Sequence, residues 1–318
     1  MLYLNTRSKI DTYTAHRVLH SQLPDDAGNI LPMYIPTFSE EEMQRILAMP
    51  FADVVSHILN AFFAQNITAW DVSCALGKVP VRVDSIGQKV LMGVLWDNRT
   101  HSAEHLITTL YASLCGETSA PAKPTAWSRV AISIALLFGF FSELKCQGIE
   151  QADVAAAAGD LETVFAAWYA RKMGLPVGMI LCACNENSNC WDFLHRGSFN
   201  AGAPVVNTSL PEMDIQLPKH MESLVYCALG REEAQQFAAA AANGELFSLN
   251  DEQLSTLSQG MYVCVVGSSR VTDVISSVSK TDNYALDPYA AAIYGGLQDY
   301  RAKTGRNSHT LIWSKHNP

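Results

Sequence analysis

The sequence predicts an α/β fold built on a parallel sheet, and three observations carry that expectation. From residue 154 to residue 184 the chain reads as strand, glycine-containing turn, helix and strand, which is the pattern of a βαβ unit. Immediately before it, Trp127 to about Leu144 form one long apolar helix, fit to cover a sheet. With 318 residues, 48% of them hydrophobic and 17% charged, the chain is long enough for one large domain or two ordinary ones with real cores.

Taken in order, Glu40 to Trp70 place Met43, Ile46, Leu47, Val54, Val55, Ile58, Leu59 and Phe62 at helical spacing, and Pro50 divides the stretch into two helices. Lys78 to Leu95 alternate and are rich in β-branched residues around Asp84-Ser85-Ile86-Gly87, which predicts two strands joined by a turn there. Cys115 to Pro124, with Gly116, Ser119, Pro121 and Pro124, is the best linker. It divides an N-terminal region, 1–114, of helices and a strand pair from a C-terminal α/β domain, 125–318. In that domain Val154 to Gly159 lead into a helix from Leu161 to Met173, which Gly174 stops. Pro176 to Cys184 follow as a short buried strand. A further helix, Arg231 to Ala242, ends at Asn243-Gly244. No internal repeat is present.

The formal net charge of -9 is spread without a basic block, which argues against nucleic acid or an anionic membrane as partner. A small molecule or a protein is expected instead. Met1 to Ile10 show no apolar run behind basic residues, and no stretch approaches the roughly 20 apolar residues that span a bilayer. The expected location is the cytoplasm. All eight cysteines are read as reduced structural thiols, since most sit singly in apolar segments.

Five segments, in order, resemble those of the threonine synthase family. Tyr3-Leu4-Asn5-Thr6-Arg7 followed by Asp25-Asp26-Ala27-Gly28-Asn29-Ile30-Leu31-Pro32 through Ile35-Pro36 is similar to that family's "STR" and "DGGLYVP…IP". The stretch from Asp160 to Pro176 resembles "GNFGDILAGYYAKKMGLP". Pro211 to Pro218 resembles "SPAMDIQVPSN", and Asp287-Pro288 through Gly305 follows "LLDPHTAV…YREKTG". The resemblance implies the tryptophan-synthase-β-like fold of type II pyridoxal-phosphate enzymes, and a family reaction that converts phosphohomoserine to threonine. It also implies that one parallel-sheet domain is retained and the mobile subdomain largely deleted, because only a short helix and the linker separate Glu104 from Thr125-Ala126-Trp127-Ser128-Arg129, which resembles "SINWAR".

The departures from the family fall at its cofactor. Where "LFHGPTLAFKD" carries the Schiff-base lysine, this chain reads Leu95 to His105 and sets Glu104 at the lysine's place, and a carboxylate forms no imine. Where "SGNFGD" cradles the phosphate, only Gly159 survives in Ala158-Gly159-Asp160-Leu161-Glu162, with Asp160 and Glu162 repelling a dianion. "STAHP", whose hydroxyl meets the pyridine nitrogen, appears as Ser314-Lys315-His316-Asn317-Pro318. The expectation is therefore a chain with no pyridoxal phosphate and no metal.

Candidate catalytic residues are Glu104, His105, Asp160 and Glu162. Candidate ligand-binding residues are Gly159, Asn185, Asn187, His101 and Lys315. Each has a plainer reading. Glu104 with His101 and His105 is either an acid/base group or a polar helix start. Asp160 and Glu162 are either an acidic site or dipole partners of a helix. Asn185 and Asn187, in a partly kept "NxND" loop, either touch a ligand or cap a turn. Lys315 is either an amine at the ring site or a solvated lysine in a fraying terminus. His195 reads as structural. Cys182, Cys184 and Cys190 suggest a metal cluster, but lack a paired CxxC and count as structural. Two main functions follow: a repurposed enzyme acting on an amino-acid-like small molecule in a specialised biosynthetic pathway, without pyridoxal phosphate, or a non-catalytic protein that binds a ligand, a protein partner or a second copy of itself; a working threonine synthase or related lyase is the minor third reading.

Overall fold

The computed structural model describes residues 1–8, 12–20, 28–77, 79–97, 102–116 and 123–318. Its elements in chain order begin with strands β1 (Leu2–Asn5) and β2 (Thr12–Thr14), helix α1 (Ala15–Leu19), β3 (Ile30–Pro32), and helices α2 (Glu40–Leu47), α3 (Phe51–Phe63) and α4 (Ala69–Leu76). Strands β4 (Arg82–Ile86) and β5 (Val90–Val94) precede α5 (Glu104–Cys115), α6 (Ala126–Cys146), β6 (Ala152–Ala157), α7 (Glu162–Met173), β7 (Val177–Cys184), α8 (Asn189–Arg196) and β8 (Ser198–Asn200). Then come α9 (Met221–Leu229), α10 (Arg231–Asn243), β9 (Leu246–Ser248), α11 (Asp251–Leu257), β10 (Met261–Val265), α12 (Ser268–Thr281), α13 (Pro288–Thr304) and β11 (Thr310–Ser314).

Two compact units divide the chain, and both are discontinuous. The first holds Met1–Asp84, Gly93–Gln151 and Ala166–Val177; the second holds Ser85–Met92, Ala152–Phe165 and Gly178–Pro318. Residues on both sides of the 115–124 segment belong to the first unit, because α6 packs along α3 and α5. Within it α2 and α3 start from Ser39 and Pro50, as the Pro50 break predicts, and Ser39 closes a capping box with Glu42. Aromatic rings fill the middle: Phe62, Trp127 and Tyr169 lie 5.3–6.0 Å apart in pairs.

The second unit is organised by a six-stranded sheet of order β10-β7-β6-β11-β5-β4. β7 runs parallel to β10 and β6 parallel to β11. Helix α7 links the neighbours β6 and β7, so the βαβ pattern read between residues 154 and 184 is present with its boundaries within two residues. One turn differs: β4 continues through Ile86, so the chain reverses at Gly87 and Lys89 rather than at 84–87. Gly87 at φ +57° and Lys89 at φ +55° adopt the left-handed conformation, and the Gly87 N–H donates to the Asp282 carboxylate at 3.0 Å.

α13 lies against β6, β10 and β11 on its small residues. A Cβ at Gly296 would come within 2.5 Å of the Cys264 sulfur and 3.3 Å of Val266. Gly296→Ala is therefore expected to lower stability by about 1–3 kcal/mol despite alanine's better helix propensity. Urea denaturation read by circular dichroism measures it, and a gain in stability would show that the strand has room to retreat.

Candidate active site

The head of α7 is built by a turn that few sequences make. β6 leaves the sheet at Ala157, and Gly159 (φ +43°) and Leu161 (φ +64°) both take left-handed conformations before the helix starts at Glu162. Glycine is required at 159, since a Cβ there would sit 3.1 Å from the carbonyl oxygen of Glu212 in the 3-10 turn Pro211–Met213. The Asp160 carboxylate accepts the N–H of Glu162 at 3.1 Å, and the Asp160 carbonyl accepts the N–H of His220 at 3.2 Å. Asp160 is thus the residue that closes the helix start.

Glu162 follows with a side chain only 4% exposed, and its carboxylate accepts a charged hydrogen bond from Lys315 Nζ at 2.9 Å. Lys315 is 29% exposed and crosses the face of Trp313 at 5.0 Å. Lys315 is therefore paired and only partly solvated. β11 is an inner strand of the sheet, so the residues that follow it are anchored rather than loose.

Beside this pair His316 Nε2 lies 3.1 Å from the Glu212 carboxylate, and the His316 ring packs on Tyr289 at 4.9 Å. Ser314 Oγ donates to the Asp287 carboxylate at 3.3 Å, and Asp287 caps α13 through the N–H groups of Tyr289 and Ala290. Glu212 raises the pKa of His316 above its ordinary 6.5, opposed by burial. A raised folded pKa means that this contact stabilises the fold fully below about pH 6.5, and the contribution fades as pH rises through the folded value. In an NMR titration the His316 ring is expected to show a midpoint above 6.5 that falls in Glu212→Gln. An unmoved midpoint in that variant would assign the shift elsewhere.

Asn185 and Asn187 are engaged within the chain. The Asn185 amide donates to Asp214 at 2.7 Å and to Thr208 at 3.0 Å. The Asn187 amide donates to the Val206 carbonyl at 2.8 Å and to Asp214 at 3.1 Å. Burial opposes ionisation of Asp214, but the N–H and hydroxyl of Thr208 and the Asn185 amide outweigh it and hold the carboxyl below its usual range. The network clamps the loop after β7 to the segment 206–214.

Glu104 opens α5 and meets Arg129 through two hydrogen bonds of 2.6 and 2.8 Å. It is 53% exposed, and His105 beside it is exposed. His101 lies outside the described residues. Glu104 and His105 belong to the first unit, Asp160 and Glu162 to the second. The structure thus joins Glu162 with Lys315, and Glu104 with Arg129. Sequence reading missed Glu212 and His316, which meet across 104 residues, and Thr208 and Asp214, which pair six residues apart.

A family model for the threonine synthase N terminus matches residues 2–77. A threonine synthase of Methylobacillus glycogenes is 30% identical over 129 residues, 39% of this chain and 27% of that protein. The human protein named threonine synthase-like 2 is 25% identical over 173 residues, 52% of this chain and 35% of it. The structure of a PLP-bound threonine synthase from Brucella melitensis matches with a TM-score of 0.82 at 17% identity, covering 100% of this chain and 89% of that one.

Residues 2–77 match the threonine synthase N-terminal family, and the whole chain takes the threonine synthase fold.

The sequence matches span about a quarter to a third of the curated relatives' own length, 27% and 35% for the two named. The N-terminal family likeness and the type II fold stand on these findings, and activity does not follow from them. The expectation that no pyridoxal phosphate belongs with this chain is corrected, because its whole length takes the fold of a family member solved with that cofactor bound. No helix among the described residues is long and apolar enough to cross a membrane.

Proposed function

We propose that this chain with the threonine synthase fold acts on an amino-acid-like small molecule at the head of α7, where Glu162 and Lys315 recognise it. The observation that carries the reading is the 2.9 Å pair between an almost wholly buried carboxylate and a partly exposed amine. An α-amino acid carries the same two charges: its ammonium complements Glu162 and its carboxylate complements Lys315. Opening the pair for such a ligand replaces one ion pair by two and brings no net charge into the site. A ligand with one charge meets only one of the two partners and breaks the 2.9 Å pair without replacing it. His316, held by Glu212 next to Lys315, is the group placed to move a proton near neutral pH.

Pyridoxal phosphate, bound in the Brucella relative, supplies an electron sink for chemistry at the amino-acid α-carbon. Two of its needs have counterparts here: the glycine turn at Gly159 and an amine beside that turn at Lys315. Its phosphate fits less well, since Glu162 places a carboxylate at the helix start and Asp160 already accepts an N–H there. The roles assigned to Glu162, Lys315 and His316 are therefore those of their own charges.

Thermal-shift measurements with α-amino acids, the corresponding amines and the corresponding deaminated acids test the proposal. Stabilisation confined to the zwitterions supports it. Equal responses to all three classes, or none to the zwitterions, defeat it. Pyridoxal phosphate is titrated separately by absorbance in the native chain and in Lys315→Met, which reports whether this amine engages the cofactor.

A further inference from the structure

We infer that Cys182, Cys184 and Cys190 form a binding site for one thiophilic metal ion of the zinc(II) or copper(I) type. Their three sulfurs lie within 4.8 Å of one another, and all three residues are buried. Spacing along the sequence hid this, because the familiar CxxC turn is not how the thiols meet. Cys182 and Cys184 are two apart on β7 and so face the same side of the sheet, while Cys190 descends on them from the first turn of α8.

Two features make the cluster more than packed thiols. An ion bonded to each sulfur at about 2.3 Å requires sulfur separations of roughly 4 Å, so the site closes by less than an ångström of side-chain rotation. The loop between the two contributing elements is held by the Asn185, Asn187 and Asp214 hydrogen bonds, so the ligands come from fixed positions, as outer-shell support of a metal site requires. Thiolates that form at the site on binding are neutralised by a soft cation.

On binding, each coordinating thiol releases its proton to solvent and forms one metal–sulfur bond, with no change of oxidation state. Three thiolates on a divalent ion leave one net negative charge, facing the N-terminal turn of α8. No solvent path to the sulfurs is needed, because the ion enters as the chain folds.

The full chain refolded without oxygen in the presence of zinc(II), cobalt(II) or copper(I), each alone, tests the site. After desalting, elemental analysis is expected to find close to one equivalent of zinc or copper per chain, and the two arms decide between those ions. Cobalt is expected to give intense thiolate-to-metal absorption in the near ultraviolet, a readout that needs no variant. Retention should fall at least tenfold in Cys184→Ser and Cys190→Ser and persist in Cys264→Ser, whose sulfur lies outside the trio. Absence of the cobalt band in the native chain, equal retention in a triple Cys182, Cys184 and Cys190 serine variant, or a disulfide within the trio in protein prepared without metal would each overturn the assignment.

Discussion

Phe193→Ala is expected to lower the free energy of unfolding by about 3–5 kcal/mol, the largest single effect foreseen for the second unit. Phe193 is wholly buried on α8, with ring centres of Phe199, Phe237 and Phe247 at 5.5, 5.7 and 5.9 Å. These rings come from α8, β8, α10 and β9, so one side chain joins four elements. Truncation removes the transfer energy of a phenyl ring and leaves a cavity whose walls are held by the remaining aromatics. Urea midpoints of native and variant chain measure it, and a loss below about 1 kcal/mol would mean that the cluster collapses onto the gap.

Lys315→Met is expected to cost about 2–3 kcal/mol, less than a wholly buried pair because the lysine keeps part of its surface in water. Glu162 then retains a buried charge with the cation at 2.9 Å taken away. Converting both partners, Lys315→Met with Glu162→Gln, removes that charge and should restore at least half of the loss. If the double variant is less stable than Lys315→Met alone, the pair is not coupled as described. The same cycle separates the direct term from changes each side chain makes elsewhere.

Much of the fold was legible because its signals are local. Pro50, Gly174 and Gly244 punctuate helices by backbone chemistry that acts within a turn, and the apolar run from Trp127 demanded burial whatever covered it. The reversal at Gly87 was misplaced by a few residues because Asp282, which holds it, is 195 residues away. At the candidate site the sequence identified Gly159, Asp160 and Glu162, all in one turn. It could not show that Lys315 reaches Glu162 across 153 residues, since strand order is what brings β11 beside β6. For Glu104 the resembling motif suggested an acid, and it gave no sign that Arg129, 25 residues on, bonds both of its oxygens. The three cysteines read as structural from their spacing, which carries no sign that a strand and a helix bring their sulfurs within 4.8 Å of one another.

Isothermal titration calorimetry of one stabilising α-amino acid against the native chain, Lys315→Met and Glu162→Gln is the most direct test of the proposed zwitterion site. Affinity about tenfold or more weaker in each variant, roughly 1.4 kcal/mol apiece, is the expected result. Unchanged binding to both variants would place the ligand elsewhere and leave Glu162 and Lys315 as a structural pair.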